Sequence, residues 1–314
     1  MILGVDTSCY TTSMIVIDID TGDVKFEKNK NLTVKPGERG LRQSEGFFQH
    51  IHHLSETFDV LCQTVDVQKI TAIAVSGKPR SVEGSYMPVF HAGLLFSSNI
   101  ANALKVPLYQ TSHQDGHLMA AIATSGLNEI PKQFYGLHLS GGTTELLEVT
   151  SLDQKFDVKL LGGTLDINFG QLIDRIGVRM GLQFPCGKEM DLMAQNEQHQ
   201  DYFKIKFKTT STFNLSGFEN KYNELLQTHS HSYVSKHVFN TIASMIHRLI
   251  HSLDEQFPII LSGGVASNSI VRAFLIQQNR GKQLYFALPE YSRDNALGVA
   301  EMARRLVLSR EMTV

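Results

Sequence analysis

The sequence predicts an α/β fold built from two similar lobes, and three observations predict it. Residues Leu139-Ser140-Gly141-Gly142-Thr143-Thr144-Glu145 make a small-residue turn between the apolar runs Phe134 to Leu139 and Leu146 to Val149, the pattern of a strand, a tight turn and a second strand. A second copy stands near the N-terminus: Gly4 to Met14 falls on Gly136 to Leu146 without a gap, at an offset of 132 residues, with Gly, Ser, Thr and Thr coinciding. An offset of that length signals a repeated domain rather than a solenoid. In the final third, helices and strands alternate regularly.

Gly141 and Gly142 have no Cβ, so several backbone N–H groups can converge there on one anion while Ser140, Thr143 and Thr144 add hydroxyls. Two such hairpin turns facing one another are expected to hold the phosphates of one nucleotide between the lobes. The lobes are expected over 1–112 and 113–314, the second carrying a helical or irregular insertion at about 166–230.

Met1 to Asp6, Thr12 to Asp20 and Val24 to Leu32 read as three antiparallel strands, followed by a loop over Lys35 to Gly40. Phe47, Ile51, Leu54, Phe58, Leu61 and Val65 recur at helical spacing, with His50, His52 and His53 expected at the surface or boundary of that helix. Ile70 to Ser76 is a buried strand and Gly77 to Ser85 a polar loop at its end. Val89 to Leu104 is a helix and Val106 to Gln110 the next strand, so the lobe reads βββαβαβ.

Thr111 to His117 opens a further helix, with Ser112 as its cap. His113 and His117 stand at i and i+4, on one face and roughly 6 Å apart, which suits two imidazoles sharing one divalent metal and equally two surface histidines near a helix start. A third, oxygen ligand decides between them.

After the second hairpin, Phe156 to Leu161 is a strand. Asp166, Gly170, Asp174 and Gly177 follow at near-helical intervals, Asp166 as cap or site residue. Pro185 and Gly187 punctuate the chain before a helix from Lys188 to Gln195, and Tyr202 to Lys208 is basic and strand-like. Helices over Gly217 to Gln227 and Ser232 to Gln256 precede a strand, Pro258 to Leu261. There Gly263-Gly264 turns into a helix, Ser269 to Gln277, with backbone open to a base or ribose and Asn268 offering donor and acceptor. Leu284 to Leu288 is the last strand. Asp294-Asn295 caps the last helix, a role compatible with metal ligation.

A hydrophobic share of 42% and a charged share of 19% describe an ordinary globular chain of 314 residues, long enough for two domains. The formal charge of −2 and pI near 6.7 exclude a global pull toward nucleic acid, so RNA contact must come from a local patch such as Lys204, Lys206 and Lys208, or from a partner. Cys9, Cys62 and Cys186 show no paired spacing, as in a reducing compartment. With no leader-like segment and no apolar run of membrane length, the expected location is the cytoplasm, with no membrane contact.

In this order the motifs resemble the TsaD family, which transfers threonylcarbamoyl to an adenosine beside the anticodon of tRNA and was long labelled sialoglycoprotease. The residues that carry the resemblance span nearly the whole chain: Gly4 to Cys9, His113 to His117, Ser140-Gly141-Gly142, Thr164-Leu165-Asp166 with Gly170 and Asp174, Pro185 with Gly187, Ser216-Gly217, Ser262 to Val265 with Asn268, and Asp294-Asn295. The resemblance implies the actin and sugar-kinase (ASKHA) fold of two similar lobes, in agreement with the repeat. It implies that His113, His117 and Asp294 hold one divalent ion, iron or zinc, through which they act in catalysis.

It also implies that His138, Leu139, Ser140, Gly141, Gly142, Asp174, Gly187, Asp191 and Asn268 hold an adenine nucleotide: threonylcarbamoyl-AMP, AMP or ATP. Asp6, Ser8, Thr143, Asp166, Gly263 and Gly264 join them as nucleotide- or substrate-binding candidates from the turns themselves. The implied partners are the adenylate substrate, tRNA, and a paralogous TsaB-like subunit or a second copy of the chain through the first lobe.

The chain departs from the family at several places. Tyr10, Thr11 and Thr12 stand where acidic residues are usual, Thr143 replaces a histidine, Gly77-Lys78-Pro79-Arg80 replaces a Gly-Pro-Gly loop, and Glu219 lies near a lost lysine. These changes favour a diverged paralogue. Beside transfer to tRNA stand three other readings: cleavage of threonylcarbamoyl-AMP to AMP without tRNA, a small-molecule kinase on the same fold, and a non-catalytic partner subunit.

Overall fold

A computed structural model describes residues 1–311 other than Cys9, 35–40, Asn128 and 153–154, so the expected loop over Lys35 to Gly40 and the Cys9 position of the first turn lie outside the described residues. Two compact units account for the chain. The first comprises Met1–Ala123 and Asp294–Val314 with the short run Leu152–Asp157; the second comprises Thr124–Ser151 and Val158–Arg293.

In the first unit, β1 (Ile2–Asp6), β2 (Thr11–Ile17), β3 (Val24–Asn31), β4 (Ala72–Lys78) and β5 (Leu108–Ser112) form one sheet in the order β3-β2-β1-β4-β5. β1 is antiparallel to β2 and parallel to β4. Helices α1 (Gln43–Thr64) and α2 (Phe90–Leu104) intervene as expected, and α3 (His113–Thr124) follows β5 directly.

Alternation along β1 sorts its side chains. Leu3 and Val5 join the apolar cluster that includes Leu54 and Leu61 of α1 and Ala92 of α2. Ile2, Gly4 and Asp6 face the other way, Gly4 against α9 (Leu297–Glu311). A Cβ on Gly4 would come within 2.8 Å of Ala296 O and Ala300 Cβ, so α9 lies directly on the sheet. That contact places α9 with the N-terminal sheet, and the unit runs through the division expected at residue 112.

The second unit repeats the first. β6 (Gln133–Leu139), β7 (Thr144–Leu152), β8 (Lys155–Thr164), β9 (Thr212–Phe213), β10 (Ile259–Ser262) and β11 (Leu284–Phe286) form a sheet in the order β11-β10-β6-β7-β8-β9. β6 is antiparallel to β7 and parallel to β10, as β1 is to β2 and β4. The register repeats as well: Gly4 pairs with Ile15, and the residues 132 positions later, Gly136 and Leu147, pair in turn. Helices α4 (Phe169–Arg179), α5 (Gly187–Ala194), α6 (Phe218–Leu226), α7 (His231–His251) and α8 (Ser269–Gln278) enclose this sheet's core, with Phe239, Ile242 and Ile246 of α7 fully buried.

Several local expectations are corrected. Asp166 is not the cap of the helix it precedes: α4 starts at Phe169, where Asn168 and Gln171 form a reciprocal capping box. α7 ends at His251, short of Gln256. His50 is fully buried, its Nδ1 2.8 Å from Thr12 Oγ1. Tyr202 to Lys208 pairs with no strand; the inward and outward alternation holds, but the backbone bonds go elsewhere. No helix among the described residues is long and apolar enough to cross a membrane.

Candidate functional site

The first candidate site is assembled within the first unit by α3, β1 and the residues that lead into α9. Ser112 Oγ accepts from the Asp115 N–H at 3.1 Å and so caps α3 as expected, setting His113 and His117 one turn apart on one face. α3 and α9 meet through glycines: a Cβ on Gly298 would fall 1.8 Å from Gly116 O. This close crossing, possible only without side chains, brings the residues just ahead of α9 beside the imidazoles. Ser13 Oγ accepts from Ala296 N–H at 2.9 Å and Asn295 Oδ1 accepts from Leu297 N–H at 2.9 Å, so Asn295 closes a turn onto the first residue of α9 while the Asp294 carboxylate lies beside the histidines.

Asp294 Oδ1 lies 3.3 Å from His117 Nε2 and 3.5 Å from His113 Nε2, and the two Nε2 atoms are 3.0 Å apart. One donor atom from each of the three residues lies within 4.8 Å of the others. Two ring nitrogens and a carboxylate oxygen this close require a positive centre among them, either a proton on a ring or a cation.

Asp6, from the end of β1, lies behind His113. It is fully buried, and His113 Nδ1 is 3.3 Å from its Oδ1. Ser76 donates to the same oxygen, and Ser8 donates to Oδ2. A proton on Nδ1 shared with Asp6 would leave the Nε2 lone pair available to a cation held with His117 and Asp294; without one, Nε2 carries a proton toward them. Burial would depress the basicity of His113, but Asp6 and Asp294 outweigh it and hold its pKa up at about 10. Burial likewise works against ionisation of Asp294, yet the two histidines keep its pKa far below the ordinary carboxylate range. With its own oxygens taken by Ser8, Ser76 and His113, Asp6 is engaged as the group that orients His113. Reading the turn residues alone missed this. The available signal was that Asp6 shares the phase of Gly4 along β1, and Ser76 ends the neighbouring buried strand.

The second candidate site lies in the second unit, where three glycine-bearing segments converge. Val265 N–H donates to Leu139 O at 2.9 Å and Gly170 N–H to Ser140 O at 3.3 Å, tying the β10-to-α8 turn and the start of α4 to the β6-β7 turn. Gly263 has φ +97°, and a Cβ there would stand 2.2 Å from Leu139 O. By contrast a Cβ on Gly141, Gly142 or Gly264 would meet nothing within 4 Å, so these glycines border open space. Thr143 N–H is held by Ser140 Oγ at 3.1 Å, and His138 is half-buried in β6 opposite Glu145.

The acidic candidates here are bonded to protein. Asp166 is exposed and accepts from the N–H groups of Leu215 and Ser216, at 2.8 and 3.1 Å, and from Ser216 Oγ at 2.6 Å, bonds that outweigh its partial desolvation and hold its pKa well below the usual range. Asp174 accepts from Cys186 N–H at 2.8 Å, beside Gly187. Asp191 accepts from Ser269 N–H and Oγ, at 2.9 and 2.7 Å, while Asn268 Oδ1 accepts from Val271 N–H at 3.0 Å as the cap of α8. These bonds draw α4, α5 and α8 around the glycine turns.

Comparison with known proteins supplies a family. The family model described as TsaD, tRNA N6-adenosine threonylcarbamoyltransferase, matches residues 40–301. Curated proteins named tRNA N6-adenosine threonylcarbamoyltransferase are similar over nearly the full length. That of Chlorobium phaeovibrioides is 26% identical, covering 99% of this chain and 95% of its own. That of Mycoplasmoides gallisepticum is 26% identical, covering 98% of each.

Among solved structures, full-length HypF in its phosphate- and nucleotide-bound form superposes with a TM-score of 0.57 at 13% identity, over 98% of this chain and 55% of HypF. The activator of 2-hydroxyisocaproyl-CoA dehydratase from Clostridium difficile superposes with a TM-score of 0.55 at 13% identity, over 99% of this chain and 97% of the activator. These likenesses establish the ASKHA-type α/β fold.

Proposed function

The chain belongs to the TsaD family of tRNA N6-adenosine threonylcarbamoyltransferases, and from that membership we propose that it transfers the threonylcarbamoyl group of threonylcarbamoyl-AMP to an adenosine of tRNA. The convergence of His113, His117 and Asp294 is the observation that best supports the reading. The donor set fits a divalent ion: two neutral imidazoles and a carboxylate leave coordination positions open, as a catalytic rather than a structural site requires. Such an ion supplies Lewis-acid polarisation of a carbonyl or phosphate oxygen. Iron and zinc both suit these ligands.

The protein's own groups have distinct parts in this proposal. Asp6 fixes the His113 ring with Nε2 forward. The N–H groups around Gly141, Gly142 and Gly264 bind the adenylate, with Asp166, Asp174 and Asp191 bracing the helices that present them. In the transfer, the adenosine amine forms a bond to the carbamoyl carbon while the bond from that carbon to the phosphate oxygen breaks. AMP departs with the electron pair, and the amine proton passes to solvent.

Incubating the purified chain with threonylcarbamoyl-AMP, with and without tRNA, tests this. Modified tRNA and AMP are expected in equal amounts, and Asp294→Ala is expected to abolish both. AMP release at the same rate without tRNA would assign the chain to cleavage rather than transfer.

A further inference from the structure

Residues 202–208 alternate. Phe203, Ile205 and Phe207 turn inward, while Tyr202, Lys204, Lys206 and Lys208 are exposed. The inward row is fixed to the core of the second unit. Phe203 N–H donates to Thr241 Oγ1 at 3.1 Å and its ring lies 5.0 Å from that of Tyr222. Arg248 donates to Ile205 O at 3.3 Å and lays its guanidinium 4.3 Å above the Phe207 ring. Lys208 N–H donates to Thr212 O at 2.8 Å.

With one side of the segment so anchored, the other side is a row of set direction. At the rise of an extended chain its lysines recur about every 6.6 Å. Among the described residues none of the three lysines has a carboxylate at ion-pair distance, and no acidic residue occurs from Tyr202 to Phe218. In a chain of net charge −2 this is a local concentration of unneutralised cations. Tyr202, 42% exposed, adds a ring at the start of the row. Just beyond its other end, Thr210 shares a cavity of about 360 Å³ with His247, Arg248, His251 and Ser252.

We propose that this face docks a single-stranded segment of RNA, an inference that rests on the tRNA reading above and gives it a docking surface. Regularly spaced cations suit phosphodiester oxygens, an exposed tyrosine on the same edge suits a stacked base, and the pairing of the two is the mark of a single-strand track. An anionic membrane surface would match the charge but not the anchored single-file row.

The test uses the full chain and labelled tRNA, with binding followed by anisotropy over roughly 50 to 200 mM salt. Replacing Lys204, Lys206 and Lys208 together by Gln is expected to weaken binding at least tenfold and to reduce the salt slope by about 2, as three lost phosphate contacts require. Tyr202→Ala is expected to weaken a single-stranded oligonucleotide roughly tenfold with the slope unchanged. Unchanged melting temperature and metal content verify folding of each variant.

Wild-type affinity and slope in the triple variant would overturn the docking surface while leaving transfer intact. A wild-type chain that neither binds tRNA nor modifies it would overturn both. Loss of binding to phosphatidylserine vesicles in the triple variant, with tRNA binding kept, would overturn the RNA assignment in favour of a membrane surface.

Discussion

His113 Nδ1 lies 3.3 Å from Oδ1 of Asp6, a fully buried aspartate whose other contacts are Ser8 and Ser76. The carboxylate therefore acts on whatever His113 binds by setting which ring nitrogen carries the proton.

Asp6→Asn keeps the size of the side chain and removes its charge. Metal affinity is expected to fall roughly 10- to 100-fold, the cost usual for losing a partner behind a ligating histidine. Competition against a chelator, read by metal analysis, measures it. Affinity within twofold of the wild type would remove Asp6 from the site.

Metal uptake is expected to release a proton. Without metal, the His113 pKa is raised to about 10, above its ordinary value near 6.5. Its charged form therefore contributes stability that is complete below about 6.5 and is lost as pH rises through about 10. A cation competes with that proton, so apparent affinity should climb with pH up to about 10, with about one proton released per ion near neutrality. Titration calorimetry in buffers of different ionisation enthalpy counts it.

His50 and His237 act in the opposite direction. Burial lowers both pKa values to about 4, so the folded chain keeps these rings neutral while the unfolded chain takes up protons below about 6.5. Stability should fall as pH drops from about 6.5 to 4, by up to about 1.4 kcal/mol per pH unit for each histidine. Urea unfolding across that window should show a shallower dependence in His237→Gln than in the wild type.

Two neighbouring glycines should respond differently to alanine. Gly263→Ala puts a Cβ 2.2 Å from Leu139 O at φ +97° and is expected to cost on the order of 3 kcal/mol of stability. Gly264→Ala meets nothing within 4 Å and should melt like the wild type while binding AMP more weakly, because its methyl enters the open space proposed above for the nucleotide. Melting curves with and without AMP separate the two, and undiminished AMP stabilisation of Gly264→Ala would count against a cradle at this turn.

Much of the architecture was legible in the sequence because it is local. The run of β1, β2 and β3 followed by α1, β4, α2 and β5 was readable from periods of two and 3.6 and from Gly, Pro and Ser punctuation. The 132-residue repeat was readable by aligning the two turns, and the two hairpins keep the same register. Periodicity misled at Tyr202 to Lys208: alternation records which side chains are buried, and a segment laid on helices alternates as well as one laid in a sheet. It was silent on His50, since one buried polar residue on an amphipathic helix leaves no trace in the pattern.

The sequence by itself determined the types of element, the duplication, and the i, i+4 spacing that puts His113 and His117 on one face. Only the tertiary structure decided that Asp294 would meet them, that Asp6 would stand behind His113, and that Asp166, Asp174 and Asp191 would be spent on backbone N–H groups and the hydroxyls of Ser216 and Ser269. The reason is one of range. Helix and strand follow from hydrogen bonds between near neighbours or along a pattern, whereas the approach of Asp294 depends on α3 and α9 crossing at Gly116 and Gly298, a contact between segments far apart in the chain.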